Sequence, residues 1–433
     1  MGEGMTCSES VISPFRGIRY RTTASRDLSS RLAPPYDVIG EPMQSALEAR
    51  DEHNFVRVEL PHPPEIETEQ DNRYLRAADT LRTWLSQGVL VRDDRPTLYA
   101  LEQEFQIGGR SWRRRGVFAA LRLPEEGERY VLSHEATFAG PKADRLQLMQ
   151  ACEAMTSPIL MMREDPESVL LSRLRSVSGE PEAVATDHEG VIHRLWALQD
   201  SPDLDAVCAA VGRGPLFIAD GHHRFETALN CRDGMRKLAP DAPPTAGFNH
   251  ALVLVTSAQD EALRVLPSHR LISGLGAAGI EHMRKRMHEW FAVRELSPTA
   301  AVAGLSGAPG GHVFAACSAD GHGYLLTARG KRLAPNPSPV ASLDVSVLHE
   351  YLIDPVVAAV GSAARVEYDH DERAAAGAVA GKEFDFAFLL RPTTVEEVMR
   401  VASAGERMPH KSTFFYPKAP AGLVVSSLGA DEV

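Results

Sequence analysis

The run Pro215-Leu216-Phe217-Ile218-Ala219-Asp220-Gly221-His222-His223-Arg224 holds a short apolar strand, a turn and a helix start within ten residues. The apolar part reads as a buried strand. Phe225, Ala228 and Leu229 then fall at helical spacing along an amphipathic stretch that ends near Met235. A tight turn at Gly221 presents backbone N–H groups at a helix N-terminus, where the partial positive charge attracts anions. Arg224 can grip a phosphate through two N–H groups, and His222 and His223 can donate further hydrogen bonds. Asp220, at the strand end, is placed to orient a magnesium ion or an attacking hydroxyl. The plainer alternative is a capping aspartate with solvent-facing histidines. Four chemically capable residues in a row behind a buried strand weigh against it.

Upstream of the turn lie Ser133-His134-Glu135, a helical stretch from Ala143 to Ala154, and a second buried strand, Pro158 to Met162. Farther back, the alternation in Asn54-Phe55-Val56-Arg57-Val58-Glu59-Leu60 predicts a strand. Tyr74, Leu75, Ala78, Leu81, Trp84 and Leu85 mark a helix stopped at Gly88. Strands over 97–106 and 115–123 flank Gly108-Gly109, a hairpin signal. Downstream, 239–248 reads as a linker rich in Pro, Ala and Gly. Strands at 251–256, 313–317, 323–328 and 386–390 then alternate with helices at 280–291, 344–352 and 394–403. The expected architecture is a multidomain α+β and α/β chain. It has an N-terminal α+β domain (1–125), a core (126–240) and a C-terminal α/β domain (241–433).

Composition narrows the function. The 433 residues are 44% hydrophobic and 24% charged, with a formal net charge of −12. That balance is globular and opposes tracking along nucleic acid, which needs clustered Lys and Arg. Arg113-Arg114-Arg115 after Trp112 reads as a solvated strand edge. The five cysteines are widely spaced and read as reduced thiols. The polar start, Met1 to Ser13, and the lack of an 18-residue apolar run lead to the expectation of a cytoplasmic protein without membrane contact. The oligomeric state is left open.

Asp220-Gly221-His222-His223-Arg224 resembles the signature turn of the ParB/sulfiredoxin superfamily, in the form carried by its free serine kinase branch. Sulfiredoxins have a catalytic cysteine where His222 stands, and ParB proteins add a basic DNA-binding domain that is not visible here. Ser133-His134-Glu135 matches the stretch holding the kinases' catalytic glutamate. Pro392-Thr393-Thr394-Val395-Glu396-Glu397-Val398-Met399, Gly405-Glu406 and Pro409-His410-Lys411-Ser412-Thr413 follow the order of their C-terminal blocks, with His410 interrupting a Pro-Lys pair. Over nearly its whole length, including Pro14-Phe15-Arg16-Gly17 and Ala33-Pro34-Pro35-Tyr36-Asp37, the chain also resembles the bacterial domain-of-unknown-function family 1015.

The kinase resemblance implies a ParB/sulfiredoxin-like nucleotide-binding core and a kinase acting on free serine or a related small hydroxyl compound. Phosphate donor would be ATP or ADP, with Mg2+. Glu135 would take the hydroxyl proton and Asp220 would align metal and acceptor. Gly221, His222, His223, Arg224 and Arg145 would hold the nucleotide phosphates, with Lys142 a weaker candidate beside them. Lys411, Ser412 and Thr413 would hold the amino acid. Two other readings stand beside it. One is a non-catalytic nucleotide-binding regulatory module. The other is a metal-dependent phosphohydrolase using His222 and Glu226, spaced i,i+4. Gly274-x-Gly276-x-x-Gly279 lacks a convincing βαβ context.

Overall fold

In a computed structural model the protein is described over residues 10–23, 25–199, 203–308, 310–330, 333, 337–429 and 433. Two compact units form. The first comprises 1–133, 137–264 and 417–433; the second comprises 134–136 and 265–416.

The first unit is organised by one mixed sheet. Its long hairpin, β1 (Leu98–Ile107) and β2 (Arg110–Arg122), turns through Gly108 and Gly109, both at positive φ, as the paired glycines predict. After helix α1 (Ala139–Cys152) come β3 (Ile159–Arg163), β4 (Leu216–Asp220), helix α2 (His222–Leu238) and β5 (His250–Ser257). Across the sheet the order is Val131–Leu132, β4, β3, β5, β2, β1, Ile192–Leu198 and Ala183–Thr186, with Ile12–Ser13 beside β2. β3 and β5 run parallel, as do β4 and Val131–Leu132. The β4–β3 and β5–β2 pairs are antiparallel. β3 and β5 are buried at every position, which is why they read as continuous apolar runs and not as alternating ones.

The second unit carries a six-stranded antiparallel sheet in the order Phe291–Leu296, Gly323–Ala328, Val313–Ser318, Phe386–Leu389, His269–Ser273, Arg365–Asp369. Helices Pro298–Ser306 and Glu372–Ala380 pack on it through Ala301, Leu305, Ala375 and Val379.

Three expectations fail. Residues 54–60 form a turn of helix at Val56–Glu59, not a strand. The Asn54 side chain accepts from the Val56 N–H at 3.0 Å and donates to the Ser30 carbonyl, pinning a turn, and Glu59 is itself fully buried. Nor is Arg113-Arg114-Arg115 solvated throughout: this stretch of β2 pairs with β1 alone, since the register with β5 stops at Gly116, and Arg113 is exposed, but Arg114 and Arg115 turn inward. Arg114 is 1% exposed, and Arg115 is paired with Glu102 at 2.6 Å. The thiols are also not uniformly reduced. Cys208 is disulfide-bonded, whereas Cys152, Cys231 and Cys317 are free and Cys7 lies outside the described residues. Among the described residues no helix is long and apolar enough to cross a membrane.

Candidate active site

β4 delivers Asp220 to the mouth of α2. Its register against β3 slips between Ile218 and Asp220, a local irregularity that re-aims the last residue of the strand. Gly221 follows at φ 94°, in the left-handed region, and a Cβ there would come within 3.0 Å of the Arg224 guanidinium. One turn into the helix, Arg224 folds back and donates to Asp220 Oδ2 at 2.6 Å and to the Pro158 carbonyl. Lys418 Nζ takes Asp220 Oδ1. Burial alone would raise the Asp220 carboxyl, but Lys418 and Arg224 overcome that and hold it well below the usual carboxylate range. Burial likewise opposes the charge on Arg224, and Asp220 with Asp37 outweighs it, so that guanidinium is held above its ordinary value.

Lys418 was invisible to sequence reasoning, which chose Lys411 from the same C-terminal stretch. It lies 198 residues from Asp220, and no local pattern links the two. What brings it there is the hairpin. Arg114 Nη2 donates to the Pro417 carbonyl at 2.6 Å, and Gln103 Nε2 donates to the Lys418 carbonyl at 3.0 Å. Gln103 is in turn held by Arg114 and by His193, whose Nε2 faces Asp187 at 2.9 Å.

Beside this cluster stands a second buried group. Glu59 accepts from Thr156 Oγ1 at 2.6 Å and Ser157 Oγ at 2.9 Å. Arg145, 6% exposed, donates to the Glu59 carbonyl at 2.8 Å and to Asp144 Oδ2, and lies 4.2 Å from the Tyr36 ring. Burial, with Asp37 adding to it, pushes the Tyr36 phenol up to about 12. Arg145 and Arg224 together line a cavity of about 20 Å³ with Thr156 and Ser157, room for a single water.

At the outer side of the turn, His222 is buried and His223 half-buried. The Phe138 N–H donates to His223 Nε2 at 3.0 Å. Glu226 Oε2 accepts from Thr137 Oγ1 at 2.6 Å and from Lys142 Nζ at 2.7 Å. Asp220, Gly221, His222, His223, Arg224 and Arg145 therefore gather in the first unit.

Glu135, Lys411, Ser412 and Thr413 gather in the second. Glu135 forms an isolated bridge to Met408 and meets His410 Nδ1 at 3.2 Å. His134 Nε2 lies 3.3 Å from Thr413 Oγ1, and its carbonyl accepts from the Met408 N–H. Ser412 donates to the Pro409 carbonyl, and Thr393 donates to the Ser412 carbonyl at 3.3 Å. Lys411 is exposed and sits at φ 55°, a strained position for a side-chain-bearing residue. Arg270, fully buried, donates to the Ser268 and His410 carbonyls and to His349 Nε2, bracing the loop.

Among the described residues no group of three or more His, Cys, Asp or Glu forms a metal cage. Both Asp220 oxygens already have cationic partners, and Glu226 is taken by Thr137 and Lys142. The residues present thus do not fit a dedicated protein metal centre.

The structure is a two-unit α/β protein whose strand–turn–helix signature is welded by an Asp–Arg–Lys cluster. The family described as protein of unknown function DUF1015 matches residues 12–346, and this chain belongs to it. The resemblance read from Pro14-Phe15-Arg16-Gly17 and Ala33-Pro34-Pro35-Tyr36-Asp37 is borne out. Among curated proteins none matches in sequence. Three solved structures are similar at low identity. A conserved hypothetical protein from Pyrococcus furiosus is 16% identical, with 71% of this chain and 93% of that chain covered and a TM-score of 0.35. A free serine kinase in complex with AMP is 16% identical, with 73% and 90% covered and a TM-score of 0.34. C-terminally truncated SbnI from Staphylococcus aureus is 11% identical, with 70% and 84% covered and a TM-score of 0.33.

Proposed function

We propose that this protein is a nucleotide-dependent kinase that phosphorylates the hydroxyl of free serine or a related small hydroxyl compound. The observation that carries the reading is the turn itself. A left-handed glycine opens α2, and a buried carboxylate beside it is flanked by two cations. Such a site suits an anion with several oxygens, because helix N–H groups, Arg224 and Lys418 can share its charge. In this reading Gly221, His222, His223, Arg224 and Arg145 belong to the nucleotide site, within a core spanning 126–240. Arg145 is held by the Glu59 carbonyl and Asp144 and lines one small cavity with Arg224.

Glu135 is assigned the proton of the acceptor hydroxyl as the oxygen attacks the terminal phosphorus of ATP or ADP. That phosphoryl group passes to the acceptor, and the shortened nucleotide leaves. Lys411, Ser412 and Thr413, in the C-terminal part of the chain, are assigned to the amino acid. The strained Lys411 supports this, since such strain collects at binding loops. Any Mg2+ would be carried in by the nucleotide phosphates and not held by Asp220, whose two oxygens are taken by Lys418 and Arg224.

The test is incubation with a panel of nucleotides and free amino acids, reading phosphorylated product by mass spectrometry. Phosphoserine or a related phosphate ester is the expected product. Nucleotide binding without any product would make the protein a regulatory module, and release of inorganic phosphate alone would make it a hydrolase.

A further inference from the structure

We propose that the ring of Phe138 is the platform on which the base of the bound nucleotide stacks, a reading that rests on the nucleotide site proposed above. Among the described residues only four large apolar side chains are exposed: Ile66, Phe138, Leu238 and Tyr368. Phe138 is the one joined to the signature turn. It caps the N-terminus of α1 in an extended conformation, and its N–H donates to His223 Nε2 at 3.0 Å. Its ring stacks on the His223 imidazole with centroids 6.0 Å apart and planes at 23°.

Exposure here is not looseness. The residue before it, Thr137, and Lys142 one turn later both bind Glu226, which lies on α2 two residues beyond the Asp220–Arg224 turn. Three hydrogen bonds therefore hold the segment 137–142 to the first turns of α2. The ring is fixed in place yet stays 49% exposed. Keeping a Phe ring half in water forfeits part of the hydrophobic stabilisation that full burial would contribute. A planar apolar group held rigidly next to an anion-binding helix start offers the two surfaces that a nucleotide presents, a flat base and a charged phosphate chain.

The stacked pair also sets the histidine. Accepting at Nε2 places the neutral imidazole's proton on Nδ1, which fixes the tautomer of the ring stacked on Phe138. Because every base has a π-face, stacking of this kind discriminates little among bases. Adenine and guanine nucleotides are therefore expected to bind with similar affinity.

Calorimetric titration of the full chain with ADP and with pyrophosphate separates base from phosphate. Phe138→Ala and Phe138→Leu should weaken ADP by about 5- to 150-fold, the span of base–aromatic stacking, while pyrophosphate is unchanged and Phe138→Trp restores ADP. Equal losses for ADP and pyrophosphate would mean that Phe138 only positions the turn, and unaltered ADP affinity would remove it from the site. Wild type that binds ADP no tighter than pyrophosphate would overturn the platform and leave the phosphate site standing. Wild type that binds neither would overturn both.

Discussion

Lys418 Nζ holds one carboxylate oxygen of Asp220 while Arg224, four residues along the helix, holds the other at 2.6 Å. A strand end, a helix start and the C-terminal stretch of the chain are thereby joined at a single buried carboxylate. The hydrogen bonds from Arg114 and Gln103 to the carbonyls of Pro417 and Lys418 make that stretch part of the site.

Removing the ammonium leaves half of a buried carboxylate unmatched. Lys418→Met is expected to lower stability by about 1.5–3 kcal/mol, the worth of a hydrogen bond to a charged group. Lys418→Arg should keep most of it. Urea unfolding measures both, and a Met variant as stable as wild type would show that the pair contributes nothing.

The same carboxylate predicts an acid dependence. Its folded pKa is depressed, so its stabilisation is fully present above the unfolded value of about 3.9 and is lost as pH falls below it toward the folded value. The stability difference between wild type and Asp220→Asn, present at pH 7, should shrink on acidification below about pH 4. A difference that stayed constant down to pH 2.5 would contradict the assigned shift.

Gly221→Ala tests the backbone. A side chain at φ 94° costs about 1–2 kcal/mol, and its Cβ would press on the Arg224 guanidinium at 3.0 Å. The variant should unfold at lower urea and bind nucleotide less tightly. Wild-type values in both measurements would remove the glycine from the argument.

Thr156→Val keeps the shape of its site and removes one donor from the buried Glu59. The expected loss is about 1–3 kcal/mol, because Ser157 alone then serves the carboxylate. Thermal unfolding would register it, and a Tm equal to wild type would show that the hydroxyl is dispensable.

Glu135→Gln retains the size of the side chain but cannot take a proton at neutral pH. Product formation should fall by about 10²–10⁴-fold with nucleotide and acceptor affinities near wild type. Wild-type turnover by this variant would pass the base role to Asp220.

What the sequence alone determined is what neighbouring residues decide among themselves. An apolar run, a glycine and a 3.6-residue period give β4, its turn and α2. Two glycines at positive φ close the β1–β2 hairpin, and Thr394 with Glu397 makes a capping box for the helix Val395–Ser403. Only the tertiary structure decided where charge and polarity are buried. The alternation of 54–60 looked like a strand because polar Arg57 and Glu59 were expected to face water. Glu59 instead lies buried against Thr156 and Ser157, about a hundred residues away, and the segment is helical. Arg114 likewise left its expected solvent edge to bind Gln103 and the Pro417 carbonyl in the interior. A buried charge must find its partners wherever the fold brings them, since leaving water unpaired is costly. Those partners are set by the packing of distant segments, which is why Lys418 could be found on Asp220 only after the sheet had been built.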